Sequence, residues 1–117
     1  MTITAPFQQA EPLSQVVFVH DYVQLRFHDL VLSVFSRLTV TVDNHALNRL
    51  DPGFCDALVA LIEKRVVATD YLEGEHLRLT FAGGDIVGVS LRSEDAAGPE
   101  LFMLDRPGFP AVVGRVA

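Results

Sequence analysis

Apolar and polar side chains alternate along most of this chain, and that two-residue period limits the folds open to it. Val23, Leu25 and Phe27 alternate with Gln24 and Arg26. Successive side chains of a strand point to opposite faces, so this alternation is typical of a strand with one buried face. The same period recurs at Val17 and Val19; Leu30, Leu32 and Val34; Leu38, Val40 and Val42; Leu77, Leu79 and Phe81; Val87, Val89 and Leu91. The sequence therefore predicts a protein built mainly of strands.

Turn-forming residues separate the alternating segments and predict antiparallel hairpins. The segment 82–85 (AGGD) lies between two of them, and glycine supplies the positive φ that tight hairpin turns need. His28-Asp29 and the segment 73–75 (EGE) predict two further connections. Residues 101–104 predict a short late strand, and residues 111–116 predict a last edge strand after Pro107 and Pro110.

One segment has a helical rather than a strand period. Asp51 and Pro52 are typical of a helix N-cap followed by proline at the first helical position. An apolar stripe at helical spacing follows, formed by Phe54, Leu58, Leu61 and Ile62. We expect this helix to end near residue 64. The predicted fold class is α+β, with a mainly antiparallel sheet of about six to eight short strands, in two β-hairpin blocks, and one central helix packed on it.

The chain of 117 residues has the size of one domain. Residues 1–14 carry Pro6 and Pro12 and no clear period, which predicts an extended N-terminal tail; residues 15–117 then form a single α+β domain. Residues 16–27 (VVFVHDYVQLRF) are echoed by residues 66–81 (VVATDYLEGEHLRLTF). Two alternatives stay open for this echo, an internal duplication or two unrelated amphipathic hairpins.

The distribution of charge bears on the class of partner. The formal net charge is −6, and of the nine basic residues only Lys64 and Arg65 are adjacent. Nucleic acids and anionic membranes need clustered positive charge, so we expect neither as a partner. An acidic surface suits a basic protein partner, because complementary charge speeds the encounter of two proteins.

The location of the protein is predicted from what its segments lack. Residues 1–15 contain no Lys or Arg and no long apolar run, which does not fit a secretory signal. No apolar stretch approaches the roughly 20 residues that span a bilayer. Cys55 is the single cysteine, which suits a reducing compartment. These features predict a cytoplasmic protein.

The chain is more apolar than its size requires. Half of its residues are hydrophobic, and its mean hydropathy is +0.31. A small domain has a large surface for its volume, so surplus apolar side chains must lie on that surface. Burial between subunits removes them from water, and we therefore expect a homo-oligomer, most simply a dimer.

The residues that carry metal or nucleophilic chemistry do not form a known motif in the sequence. No two of His20, His28, His45 and His76 have the short spacing of a metal-ligand pair. A strand over residues 22–27 would hold the first two histidines roughly 20 Å apart. Cys55 lies on the apolar stripe of the predicted helix, which favours a small core residue over a nucleophile. We predict no catalytic residue, no metal and no cofactor.

A polar cluster before the predicted helix is the strongest candidate for a binding site. It contains Asp43, Asn44, His45 and Arg49, with Asn48 between them. Loops beside a helix often carry function. The same residues also suit a plain solvated loop, and both interpretations stay open.

Four segments carry a resemblance to a group of proteins. The runs LRLTFAGGDIVGVSL (77–91) and EDAAGPELFML (94–104) resemble the second half of short uncharacterised bacterial α+β proteins. The runs VQLRF (23–27) and LVLSVF (30–35) are similar to the first hairpin of those proteins. The resemblance implies a small α+β domain and no assigned catalytic residue. Some similar domains act as immunity proteins that neutralise a toxin.

The sequence supports three functional hypotheses. Its acidity and its surplus of apolar residues favour a non-enzymatic protein-interaction or self-associating module, of immunity or regulatory type. The first alternative is a small ligand-binding or enzymatic domain with a pocket between helix and sheet, using His45 or Cys55. The second alternative is a structural homo-oligomer subunit. The three differ in whether the polar residues converge in the folded chain.

Overall fold

The computed structural model describes residues 3–116, which form ten strands in two antiparallel sheets. In chain order the strands are β1 (Gln15–Val19), β2 (Tyr22–Phe27), β3 (Leu30–Val34), β4 (Leu38–Val42), β5 (His45–Asn48), β6 (Val66–Leu72), β7 (His76–Phe81), β8 (Ile86–Ser90), β9 (Glu100–Asp105) and β10 (Val112–Arg115). Sheet A has the order β1-β2-β3-β9-β10, and sheet B has the order β5-β4-β8-β7-β6. The two sheets share one apolar core, to which the alternating residues of both contribute.

The predicted α+β class and antiparallel pairing are confirmed, but the strand count and the single sheet are wrong. Strand β5 is polar and largely exposed at the edge of sheet B, so it lacks the alternation that marks a strand. The division into two sheets depends on the pairs β3–β9 and β4–β8, which join segments far apart in the chain. No local pattern in the sequence encodes such pairs.

Two small helices, α1 (Ala5–Gln8) and α2 (Phe54–Val59), take the place of the predicted central helix. Helix α2 begins after Gly53, whose φ of 88° is left-handed, and no side chain caps it. Asp51, predicted as the N-cap, instead accepts a hydrogen bond from the backbone N–H of Asn48 at 2.7 Å. The predicted start of the helix is therefore wrong, because the Asp51 carboxylate closes the turn after β5.

The predicted end of the helix near residue 64 is also wrong. Beyond α2 the chain continues as turns, and Glu63 adopts a left-handed φ of 77°. The backbone N–H of Glu63 donates to the Leu13 carbonyl at 2.7 Å, and this bond replaces a further helical turn. The apolar stripe is nevertheless buried as predicted at Phe54, Leu58 and Leu61.

The N-terminal segment predicted to be an extended tail contains α1 and packs on the domain. Helix α1 lies against β6. The Phe7 side chain is buried, and its ring meets the Phe27 ring edge-on at 5.9 Å between centroids. The Leu13 side chain is also buried, and its backbone N–H donates to the Lys64 carbonyl at 3.0 Å. The segment therefore completes the core.

The predicted hairpin turns are confirmed. Gly83 and Gly84 join β7 to β8 with φ values of 97° and 102°, which only glycine adopts without strain. His28 joins β2 to β3 with a φ of 58°. Strand β2 lies between the two His-Asp dipeptides, as expected from the spacing of the sequence.

The two halves of the chain follow the same path with the sheets exchanged. Strands β1, β2 and β3 are neighbours in sheet A, and the chain then crosses to β4 and β5 in sheet B. Strands β6, β7 and β8 are neighbours in sheet B, and the chain then crosses to β9 and β10 in sheet A. Pairing of β3 with β9 matches pairing of β8 with β4. Strands β1–β5 therefore have the topology of β6–β10.

The residue register repeats as well. The row Leu25-Leu32-Leu104 crosses sheet A, and its counterpart Leu79-Val87-Val40 crosses sheet B. Phe27 and Phe81 occupy equivalent positions, and their rings stack at 6.1 Å with an interplanar angle of 16°. The echoed segments are thus the equivalent hairpins β1–β2 and β6–β7. The shared Asp-Tyr pair, however, lies at the start of the second strand of the first hairpin and within the first strand of the second hairpin, so the echo is not matched residue by residue.

A close contact in the second half leads to a prediction about packing. A Cβ atom on Gly114 would overlap the Phe102 ring, which is fully buried. We expect Gly114→Ala to lower the free energy of unfolding by about 1–3 kcal/mol. Leu38 occupies the position equivalent to Phe102, so we expect Phe102→Leu to recover part of that loss in the Gly114→Ala chain. Urea unfolding of the double-mutant cycle measures this coupling, and strict additivity would contradict it.

Candidate interaction surface

The polar cluster predicted as a site is divided between the two ends of β5. Asp43 and Asn44 form the two-residue turn between β4 and β5, with φ values of 50° and 65°. Positive φ at both central residues is typical of a type I′ hairpin turn, which favours asparagine and aspartate. The His45 ring is exposed, and its Nδ1 lies 3.1 Å from the Asp43 carbonyl. At this end of β5 the polar residues serve the turn.

Arg49 lies beyond the other end of β5, and its guanidinium bonds to the β1–β2 turn. Its two terminal nitrogens donate to the Val19 carbonyl at 2.6 Å and to the Tyr22 carbonyl at 3.3 Å. Asn48 accepts a hydrogen bond from the Arg37 Nε at 2.9 Å. Arg49 is thus about four residues of extended strand away from His45, or roughly 13 Å. The structure does not bring the four predicted residues together.

The histidines and the cysteine are also separated. His20 and His28 lie in different turns, at opposite ends of β2, and the His76 Nε2 lies 2.7 Å from the Asp70 carboxylate. The prediction that Cys55 is a core residue is wrong, because its side chain is exposed on the short helix α2. Within residues 3–116 no three side chains of His, Cys, Asp or Glu are grouped in a way that could hold a metal ion.

The outer face of sheet A is unusually apolar. We call this surface the sheet A face. Its apolar members alternate with the buried residues of the same strands, or lie just beyond a strand end, and each is half-buried in the isolated chain: Val17, Val19, Tyr22, Val31, Phe35, Met103 and Val113. The Tyr22 and Phe35 rings contact each other at 5.4 Å between centroids. An apolar face of this kind is typical of a sheet that packs against another layer.

The equivalent outer face of sheet B is more polar, although the topology is the same. Thr39, Thr41, Arg78, Thr80 and Ser90 lie there, on the side of the sheet opposite the buried residues, and Ile86 and Leu72 are its large apolar members. The fold itself therefore does not require an outer face that is mainly apolar. The sheet A face carries more large apolar side chains than its counterpart.

A polar network crosses the sheet A face. The Arg26 guanidinium donates to the Gln24 side-chain oxygen at 3.0 Å, and the Gln24 amide donates to the Ser33 hydroxyl at 3.1 Å. The Arg26 Nε is buried but has no hydrogen-bond partner among the described residues. A buried donor without a partner costs about 1–3 kcal/mol, so a nearby acceptor would stabilise it.

Asp105 is the single carboxylate of the same face. It lies in the row of Arg26, with Val31 between them on the central strand. Two strand spacings separate Arg26 from Asp105, or roughly 10 Å, and within residues 3–116 no ion pair joins them. The sheet A face therefore carries one base and one acid on opposite sides of its central strand.

Sequence reasoning missed this face, although a signal was present. The run VVFV is continuously apolar, and the run LVLSVF is apolar except at Ser33. A continuous apolar run predicts a strand that is buried on both faces. The prediction that Val17 and Val19 lie on the buried face of their strand is wrong, because they pair with Gln24 and Tyr22 on the outer face and Val16 packs on the core instead.

Comparison with known proteins adds no further constraint on the site. No protein-family model matches this chain, and no curated protein and no solved structure matches it either. Among residues 3–116, none of the helices has the length and the apolar composition needed to cross a membrane.

Proposed function

We propose that this protein is a non-enzymatic interaction module that associates with a second copy of itself through the sheet A face. One observation carries the proposal: the outer face of sheet A carries more large apolar side chains than the equivalent face of sheet B. Burial of half-exposed apolar side chains is the dominant favourable term in most protein association.

The geometry of sheet A suits a two-fold dimer. Strand β3 is the middle strand of five, so a two-fold axis parallel to β3 would place β2 over β9 of the second copy. Arg26 would then face Asp105 of the second copy, and Val31 would face its own equivalent. Facing sheets pack about 10 Å apart, a distance that an arginine side chain spans. The ion pair would supply an acceptor to the buried Arg26 Nε.

The charge of the face favours a second copy over a basic protein. The sheet A face carries Arg26 and Asp105 and is therefore neutral, and the acids that produce the net charge of −6 lie elsewhere. A basic partner needs an acidic surface, whereas a neutral face with one base and one acid is complementary to itself. A basic partner is the alternative, and it predicts a chain that stays monomeric.

A charge-reversal cycle tests the proposal. We expect Arg26→Asp and Asp105→Arg each to raise the dissociation constant of the dimer about tenfold or more, because each places like charges opposite each other. The double variant restores opposite charges and should recover most of the affinity. Sedimentation velocity over a range of concentrations measures all four proteins. Arg78→Asp, on the outer face of sheet B, is the matched control and should leave the dimer unchanged.

The Asp105→Arg variant controls for an effect of Arg26→Asp on folding. Arg26→Asp also removes the bond to Gln24, whereas Asp105→Arg breaks no side-chain bond among the described residues. A monomeric parent protein at high concentration overturns the proposal. So do single reversals that leave association unchanged.

A further inference from the structure

An open cavity of about 320 Å³ lies between the β1–β2 turn and the chain that follows β5. Its apolar wall consists of the core residues Val23, Val34 and Leu38, whose side chains are otherwise buried. This volume lies at the lower end of the range for small-molecule sites, which are mostly apolar with a few placed polar groups. The cavity therefore has the size and the wall of a site for a small ligand.

Two arginines stand at the cavity, and both are held in place. Arg49 is bonded to the Val19 and Tyr22 carbonyls, and Arg37 is bonded to the Asn48 side chain. An arginine has five N–H donors, so the two bonds of Arg49 leave three for a ligand. Asp21 is the single carboxylate among the lining residues, and the Arg37 guanidinium also lies 3.8 Å from the Asp95 carboxylate outside them. Arg49 is therefore the lining guanidinium that forms no ion pair among the described residues. Fixed guanidinium groups of this kind suit a carboxylate, which they bind through two parallel hydrogen bonds.

The equivalent place in the second half of the chain is built differently. A cavity of about 260 Å³ lies there, between the β6–β7 turn and β10. Gly114 occupies the position of Arg49, and the Phe102 ring fills the space over that glycine. Ile3 also lines this second cavity. Arg115 and Glu73 are the charged residues of this second lining. The smaller Leu38 and a pair of arginines are thus features of the first cavity only, and the shared topology does not require them.

An exposed leucine lies at the first cavity, beside its two arginines. Leu50 lines the first cavity, and its side chain is 96% exposed. No other large apolar side chain of the described residues is as exposed. A ligand with an apolar body would cover it.

We infer that this cavity binds a small organic anion with one carboxylate and an apolar body, of the size of a medium-chain monocarboxylate. The carboxylate lies between the Arg37 and Arg49 guanidinium groups, and the apolar body packs on Val23, Val34 and Leu38. The Leu50 side chain closes over the ligand. No bond is made or broken in this site, so the inferred activity is binding alone.

Calorimetric titration of the unmodified protein with octanoate is the first test, with octanamide as the neutral match. We expect saturable binding of octanoate, and binding of octanamide that is about tenfold weaker or less, because hydrogen bonds to a charged group are the stronger ones. The chain contains no tryptophan, so Leu50→Trp provides a single fluorescent reporter at the mouth of the cavity. Its emission should shift to the blue as octanoate covers it.

Two variants locate the site. Arg37→Ala and Arg49→Lys should each raise the dissociation constant of octanoate about tenfold, and Arg49→Lys keeps the charge while it removes the planar fork. Arg78→Ala removes an exposed arginine from the outer face of sheet B and is the matched control. No saturable binding of octanoate, or equal binding by all three variants, overturns the inference. So does equal affinity for octanoate and octanamide.

Discussion

Replacement of Phe81 with alanine is expected to lower the free energy of unfolding by about 3–5 kcal/mol. The Phe81 side chain is fully buried, and its ring stacks on the equivalent Phe27 ring where the two halves of the chain meet. Truncation removes the apolar contacts of one half and leaves a cavity beside the other. A domain of this size is stable by about 5–15 kcal/mol, so the loss is a large part of the total.

Urea unfolding followed by circular dichroism measures this loss. Phe109→Ala is the matched control, because the Phe109 side chain is 53% exposed. The Arg106 guanidinium lies over its ring, 3.6 Å from the ring centroid, and no other aromatic ring of the described residues stacks on it. We expect a loss of about 1 kcal/mol or less for the control. Should Phe81→Ala fail to fold, Phe81→Leu gives a smaller loss that is still measurable. Equal losses at Phe81 and Phe109 would show that the stacked rings do not join the two halves.

Replacement of Val31 with arginine is expected to abolish self-association at micromolar concentration. Val31 lies on the central strand of sheet A and, in the proposed dimer, faces its own equivalent. The variant would bury two like charges against each other. A buried charge without a partner costs about 3–5 kcal/mol, which corresponds to a rise of more than about 100-fold in the dissociation constant.

Thr41→Arg is the control for this prediction. Thr41 lies on the outer face of sheet B, on β4, and is half-buried like Val31. Sedimentation velocity should show a monomer for Val31→Arg and an unchanged dimer for Thr41→Arg. Circular dichroism checks that both chains are folded. Equal association of the two variants would place the interface away from the sheet A face.

The elements of this fold follow from local patterns in the sequence. The strands β2 and β7 show the alternation of Leu25 and Leu79 with polar neighbours, and both of those residues are buried. The turns with Gly83 and Gly84 are set by backbone conformations that glycine adopts readily. Local chemistry of this kind acts over a few residues, so it predicts strands and hairpins well.

The assembly of those elements does not follow from local patterns. The exchange of β4 and β9 between the sheets depends on contacts between distant segments. The chain leaves the helical path after α2, where the Glu63 N–H donates a hydrogen bond to the Leu13 carbonyl. The sequence around Glu63 does not predict this bond, because Leu13 lies 50 residues earlier in the chain. Cys55 lies on the exposed side of α2 together with Val59, whereas Phe54 and Leu58 lie on its buried side.

The candidate surface was predictable in part. The surplus of apolar residues predicts self-association, and part of that surplus lies on the sheet A face. The sequence also predicts a polar site at Asp43 and Asn44, but their positive φ values show that they serve a hairpin turn. The bonds of Arg49 to the β1–β2 turn join residues that are distant in the chain, so only the fold shows them.

Chemical cross-linking through Val31 tests the proposed interface most directly. Cys55 is the single cysteine and is exposed, so it is first replaced by serine, and Val31→Cys and Thr41→Cys are then made separately in that chain. Across a two-fold axis over β3, the two Cys side chains at position 31 lie within the roughly 10 Å between facing sheets, which a short bismaleimide spans. We expect a covalent dimer in high yield from Val31→Cys and little from Thr41→Cys. Similar low yields from both positions would contradict a dimer formed through the sheet A face.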